Sequence, residues 1–92
     1  MTPSEVTKLL SEVPAWDIAD DEVSRIARTF TFKSFRQALE FVQRVGDLAE
    51  AEGHHPDIHV SYRKVTLELT THAIGGLSEN DFIMAAKIDS IP

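Results

Sequence analysis

The chain has 92 residues and sets nine Lys and Arg against 15 Asp and Glu, a net charge of −6 with histidine neutral and a pI near 5.0. That balance argues against nucleic acid as a partner, which needs a basic stripe to displace counterions from phosphates. No apolar run approaches the ~20 residues of a membrane span, and the absence of cysteine excludes a disulfide framework, a thiol nucleophile and a thiolate metal site.

A hydrophobic content of 42% suffices for one compact core, so the expectation is a single domain over residues 1–92. Met1 to Leu10 carries Glu5 and lacks the basic-then-apolar layout of a signal peptide, which predicts a cytoplasmic protein. Thr2-Pro3-Ser4-Glu5 reads as a capping box with proline at the first helical position. A short helix follows through Leu9 and Leu10 and ends near Pro14. Trp16 to Ile18 predicts a brief strand and Asp20-Asp21 a turn. From Val23 to Phe32 the chain alternates, with Ile26, Phe30 and Phe32 on one face and Arg25, Thr29 and Thr31 on the other.

Ser34 opens the longest helix, with Gln37 at the capping-box position. Phe35, Ala38, Leu39, Val42, Val45 and Ala49 follow the rhythm of an amphipathic helix, and Phe41 and Leu48 add a neighbouring apolar stripe. That excess is either a wide core face or a subunit interface. Gly53 supplies a left-handed cap. Ile58, Val60 and Tyr62, then Val65, Leu67 and Leu69, form the apolar faces of a hairpin. Gly75-Gly76 breaks the chain, and Ser78 caps a last helix with Asp81 in its box and a Leu77–Phe82 staple. Trp16 and Tyr62 are expected in the core, and Glu50 and Glu52 on a solvated helix face. The order α-β-β-α-β-β-α predicts an α+β fold, a four-stranded antiparallel sheet with three helices on one face.

All four histidines fall between His54 and His72. A two-residue loop at Arg63-Lys64 would set Tyr62 opposite Val65, Val60 opposite Leu67 and Ile58 opposite Leu69, and would carry His55 to the level of His72. Arg-Lys is poor chemistry for a tight turn, which leaves a shifted register open. Pro56 keeps His55 on extended backbone, so His54 and His55 would approach a ligand from different angles. Imidazole, which titrates at roughly pH 6.5 when unperturbed, gives or takes a proton near neutrality. A cluster of imidazoles therefore suits acid–base work on a neutral substrate. Two other readings stand beside it. His54 could complement a helix C-terminus. Three histidines could bind zinc, but Pro56 interrupts the His55–His59 spacing and no acidic fourth ligand stands out, so no metal is expected. His59 reads as a solvated surface residue, and Asp81 already has a capping role.

Glu50-Ala51-Glu52-Gly53-His54-His55-Pro56-Asp57, followed by Tyr62, Thr70-Thr71-His72 and Gly76-Leu77-Ser78-Glu79-Asn80-Asp81, resembles the pterin-4a-carbinolamine dehydratases. The resemblance runs from Trp16 through Phe30-Thr31-Phe32 and the long helix to Ile88, nearly the whole chain. It implies a cofactor-free and metal-free lyase that dehydrates a 4a-hydroxytetrahydropterin to quinonoid dihydropterin, a step that recycles the pterin of aromatic amino acid hydroxylases. Carried over by position, His54, His55 and His72 are the catalytic residues, with His54 and His55 moving protons and His72 orienting the pterin. Gly53, Thr70 and Thr71 line the pterin pocket, and Asp81 supports it by fixing a histidine tautomer. The implied partners are the pterin substrate, further copies of the chain in a homodimer paired through sheet edges or a homotetramer joined through helices, and functional coupling to a hydroxylase. The Phe41–Leu48 stripe suits the helical interface. Animal members also serve as a dimerisation cofactor of a homeodomain transcription factor, and some bacterial relatives assist Rubisco assembly, so a non-catalytic adaptor is the alternative. Gly53 stands where animal enzymes carry an acid, Asn80 where they carry arginine and Ile58 where they carry an aromatic, so roles of those side chains do not transfer.

Overall fold

Thr2 starts the chain's first helix by accepting the Glu5 N–H at 3.2 Å while the Glu5 carboxylate accepts the Thr2 N–H at 3.0 Å, the reciprocal box expected from the sequence. The computed structural model describes all of residues 1–92. Along the chain lie α1 (Pro3–Glu12), β1 (Asp17–Ile18), β2 (Ile26–Thr31), α2 (Phe35–Glu52), β3 (Asp57–Ser61), β4 (Lys64–Leu69), a 3₁₀ turn (His72–Ile74) and α3 (Glu79–Asp89). The strands form one antiparallel sheet in the order β1-β2-β4-β3, and the three helices cover one face of it, as predicted.

Strand alternation decides which residues go under the helices. Ile26 of β2 and Val65, Leu67 and Leu69 of β4 have no exposed surface, whereas Thr29, Asp57 and His59 are exposed on the far face. That open face is polar. Thr29 and Thr66 share a 2.8 Å hydroxyl contact across the strands, Arg25 reaches Asp57 at 3.0 Å, and His59 stands 3.4 Å from Glu68. His59 is therefore the surface residue expected. β2 starts later than the alternation suggests, at Ile26, because the Asp20 carboxylate binds both the N–H and the hydroxyl of Ser24 and holds residues 20–24 in a turn.

The hairpin corrects one expectation. Its loop is Tyr62-Arg63, not Arg63-Lys64, so Val60 faces Val65 and Ile58 faces Leu67. The two registers differ by a shift of two residues, which keeps every side chain on its own face, so apolar matching cannot separate them. Tyr62 takes the left-handed φ of 54° that the turn demands, which puts its ring outside; the expectation that it is a core residue is corrected, since it is 68% exposed.

The inward face of α2 is corrected as well. Ala38, Phe41, Val45 and Ala49 are buried, while Phe35 and Leu39 are exposed. Phe41 is a core residue because it fits between two rings of the sheet end, with centroids 4.6 Å from Phe30 and 5.0 Å from Phe32. Ser34 caps this helix through the Gln37 N–H, but the Gln37 side chain accepts from Lys33 rather than from Ser34. Trp16 is buried as expected, its indole N–H satisfied 2.9 Å from Asp89, which also binds Arg28 at 2.6 Å. No helix is long and apolar enough to cross a membrane.

Candidate active site

Gly53 ends α2 in the left-handed conformation, φ 66° and ψ 28°, which turns the chain back on itself at the point where His54 and His55 follow. The His54 N–H still bonds to the Ala49 carbonyl at 3.3 Å, so this histidine remains anchored to the last helical turn. On the other side of the site, β4 runs out at Leu69 and the chain enters the turn that carries His72. Thr71 and Gly76 close that turn as an isolated bridge, with the Thr71 N–H on the Gly76 carbonyl at 2.9 Å.

Asp81 joins the two sides. It lies in the first turn of α3, where the helix dipole favours a carboxylate, and it has no exposed surface. Its Oδ1 is 2.6 Å from His54 Nε2, while Oδ2 accepts from the Ser78 N–H at 2.9 Å and from the Thr71 hydroxyl at 3.0 Å. The capping role foreseen for Asp81 is present, but it uses only part of the carboxylate. A carboxylate only accepts, so the proton of the His54 contact sits on Nε2. Nδ1 then carries the free lone pair. It has no partner in the protein, and every buried side-chain nitrogen and oxygen has one, so Nδ1 is open to solvent.

His55 is more exposed, and its Nε2 lies 2.5 Å from Glu50 Oε2. Glu50, expected to be a solvated helix residue, is solvated and also orients a histidine. The Gly53 reversal explains this, and a helix C-cap followed by His five residues after an acid was the available signal. His72 lies exposed in the 3₁₀ turn, beside the Thr71 that binds Asp81. Because β3 begins only at Asp57, the expected cross-strand pairing of His55 with His72 does not form. What links the histidine pair to the His72 turn is the Asp81 carboxylate. Thr70 directs its hydroxyl to the Ser24 carbonyl at 2.6 Å, so its donor is committed to the protein.

A cavity of about 130 Å³ opens beside His54, lined also by Gly53, Glu52, Asn80, Ile83, Met84 and Lys87. A Cβ built on Gly53 would meet nothing within 4 Å, so glycine is favoured there by the left-handed backbone and not by crowding. Lys87 and Glu52 form an ion pair across the cavity's rim. A larger, mostly apolar hollow lies between α1 and the 74–77 segment and includes none of the histidines.

The family model described as pterin 4 alpha carbinolamine dehydratase matches residues 1–91. The chain belongs to the pterin-4-alpha-carbinolamine dehydratase family. Among relatives, the mitochondrial pterin-4-alpha-carbinolamine dehydratase 2 of Arabidopsis thaliana is 50% identical over 99% of this chain, which spans 50% of that longer protein. A Methylococcus capsulatus protein, provisionally named as the same dehydratase, is also 50% identical over 99% of this chain and 79% of its own length. A crystal structure from Brucella melitensis, described as a transcriptional coactivator/pterin dehydratase, superposes with a TM-score of 0.90 at 33% identity, covering 98% of this chain and 95% of that one. A pterin dehydratase-like RuBisCO assembly factor of the alpha-carboxysome has a TM-score of 0.70 at 23% identity, over 83% of this chain and 87% of that one, and shows the shared fold alone. Membership of this dehydratase family makes the chain a hydro-lyase acting on pterin carbinolamines.

Proposed function

We propose that the chain dehydrates a 4a-hydroxytetrahydropterin to quinonoid dihydropterin by histidine acid–base catalysis, and so recycles tetrahydropterin for aromatic amino acid hydroxylation. In this reaction the C4a–oxygen bond breaks, the N5 proton is removed, and its electron pair forms the N5–C4a double bond. Hydroxide is a poor leaving group, so one group must protonate the departing oxygen while another accepts the N5 proton, and water leaves. His54 and His55 carry these two proton transfers. His72, across Asp81, orients the pterin, and Gly53, Thr70 and Thr71 lie around it.

The observation that carries this reading is the buried Asp81 carboxylate on His54 Nε2 at 2.6 Å. It holds one tautomer and one ring orientation, and leaves Nδ1 free for chemistry. A solvated surface histidine needs no such partner.

The chain works as a cytoplasmic homo-oligomer, dimer or tetramer. A second, adaptor role of the kind named for the Brucella and carboxysome proteins is favoured by one observation: Phe35 and Leu39 leave an apolar stripe on the outside of α2, each nearly half exposed. The deciding experiment follows the ultraviolet absorbance of enzymatically generated 4a-hydroxytetrahydropterin with and without the protein. Decay faster than the spontaneous rate, lost in a folded His54/His55/His72 triple alanine variant, supports the dehydratase reading. No acceleration by the folded protein rejects it in favour of the adaptor.

A further inference from the structure

The Thr71 hydroxyl has one proton to give and two lone pairs to offer. It lies 3.0 Å from Asp81 Oδ2 and 2.6 Å from the Ser78 hydroxyl. Asp81 as a carboxylate can only accept, so the Thr71 proton points to Oδ2 and the Ser78 hydroxyl donates to Thr71. The donor capacity of Thr71 is therefore spent inside the protein. Oδ2 also receives the Ser78 N–H, and Oδ1 receives His54 Nε2–H, so three donors fix the carboxylate in one rotamer.

The backbone of Thr71 has a separate task. Its N–H bonds to the Gly76 carbonyl at 2.9 Å, and its own carbonyl accepts from Ile74 at 3.2 Å and Gly76 at 3.4 Å. These bonds close the turn His72–Ile74. One residue thus ties the segment bearing His72 to the carboxylate that holds His54. We infer that Thr71 is a positioning residue for His54 that acts through Asp81. The inference rests on the dehydratase reading for its kinetic arm and on the ring geometry alone for its spectroscopic arm.

Valine at this position keeps the β-branch and leaves the backbone bridge intact, so Thr71→Val isolates the hydroxyl. An outer partner that orients a metal-binding histidine is worth about tenfold to a hundredfold in activity, and the Thr71–Asp81 pair stands in the same relation to His54. The expected result is a kcat lower by that factor with KM changed by less than about twofold, and recovery of most of the kcat in Thr71→Ser. In the substrate-free protein, the ¹⁵N resonances of the His54 ring should move in Thr71→Val from the Nε2–H tautomer toward a mixture, and return in Thr71→Ser. A raised KM at unchanged kcat, or unmoved His54 resonances, overturns the inference. If Thr71→Val does not fold, Thr71→Ala removes the same hydroxyl with less bulk beside the backbone bridge and keeps the Ser78 N–H on Asp81. Its His54 resonances should move in the same direction, and a spectrum identical to wild type overturns the inference as well. Should the wild-type chain fail to accelerate dehydration, the dehydratase reading falls, and the ring resonances still decide what Thr71 does.

Discussion

His54 Nε2 lies 2.6 Å from Oδ1 of Asp81, a carboxylate with no exposed surface that two further donors hold from the opposite side. The pair joins the C-terminus of α2 to the first turn of α3 and fixes which imidazole nitrogen faces out. Asp81→Asn keeps the shape and replaces one acceptor oxygen by a donor amide. Either the amide faces His54 and forces the opposite tautomer, or it faces the Ser78 N–H and opposes donor to donor. The expected outcome is a rate loss of up to about 10⁴, the size of effect when an amide in place of the carboxylate imposes the wrong histidine tautomer, together with the roughly 1–3 kcal/mol that a buried unsatisfied polar group costs. Steady-state kinetics and urea unfolding of the variant check both. A variant with the wild-type rate would remove Asp81 from the mechanism.

The histidines should separate by role. His54→Ala and His55→Ala are each expected to slow dehydration by about 10²–10⁴, the range for a lost general acid or base. His59→Ala, on the open face of the sheet beside Glu68, should keep the wild-type rate and change stability by less than about 0.5 kcal/mol. The absorbance decay assay on all three variants reads the contrast directly. Equal losses in all three would point to a diffuse electrostatic effect instead of proton transfer by the pair.

Much of this was legible in the residues, and what was not has definite physical causes. The Thr2–Glu5 box, the alternation of Ile26 and Phe30, and the reversal at Gly53 are local rules, and local rules read directly. The hairpin register was not, because registers two residues apart bury the same side chains and only the turn distinguishes them. The inner face of α2 was half legible. Ala38, Val45 and Ala49 belong to both possible stripes, and the choice of Phe41 over Phe35 and Leu39 depends on where Phe30 and Phe32 lie, which is tertiary information. In the site, His54 and Asp81 were both visible, yet nothing in their spacing joins them; α3 has to pack against the end of α2 first. Thr71 and Ser78 looked like a pocket wall and a cap, and only the folded chain brings their hydroxyls within 2.6 Å of each other.

The correction on α2 can be tested by stability. Phe41 is 6% exposed and packed between Phe30 and Phe32, so Phe41→Ala should cost about 3–5 kcal/mol, the range for an emptied aromatic core site. Phe35→Ala, at 46% exposure, should stay within about 0.5 kcal/mol in the isolated subunit. Denaturant midpoints of the two variants make the comparison. The reverse order would restore the stripe read from periodicity.

If the exposed side of α2 joins subunits, a charge there should part them without unfolding them. Leu39→Glu places a carboxylate on the outer stripe, next to Phe35 one turn earlier. Sedimentation velocity should give a smaller species than wild type, with circular dichroism unchanged. An unchanged mass would place the subunit contact elsewhere, on the sheet edge or the open sheet face.

The turn before β2 should contribute to the acid limb of stability. The Ser24 hydroxyl, and then the Ser24 N–H, hold the Asp20 carboxyl below its ordinary value. The Thr2 N–H, followed by its hydroxyl, does the same for Glu5 at the start of α1. A carboxyl whose folded pKa is lowered adds stability above its unfolded value, about 3.9 for Asp, and loses it as pH falls through the folded value. Asp20→Asn lacks that contribution at any pH. Its thermal midpoint should therefore lie below wild type by a steady amount from about pH 5 upward, and the gap should close as pH falls below about 4. The turn also bears on the site, since the Ser24 carbonyl accepts the Thr70 hydroxyl at 2.6 Å one residue before Thr71. Midpoints measured at neutral, mildly acidic and strongly acidic pH test the sign: a gap that is constant or widens in acid would mean that the Asp20–Ser24 contacts do not control the acid limb.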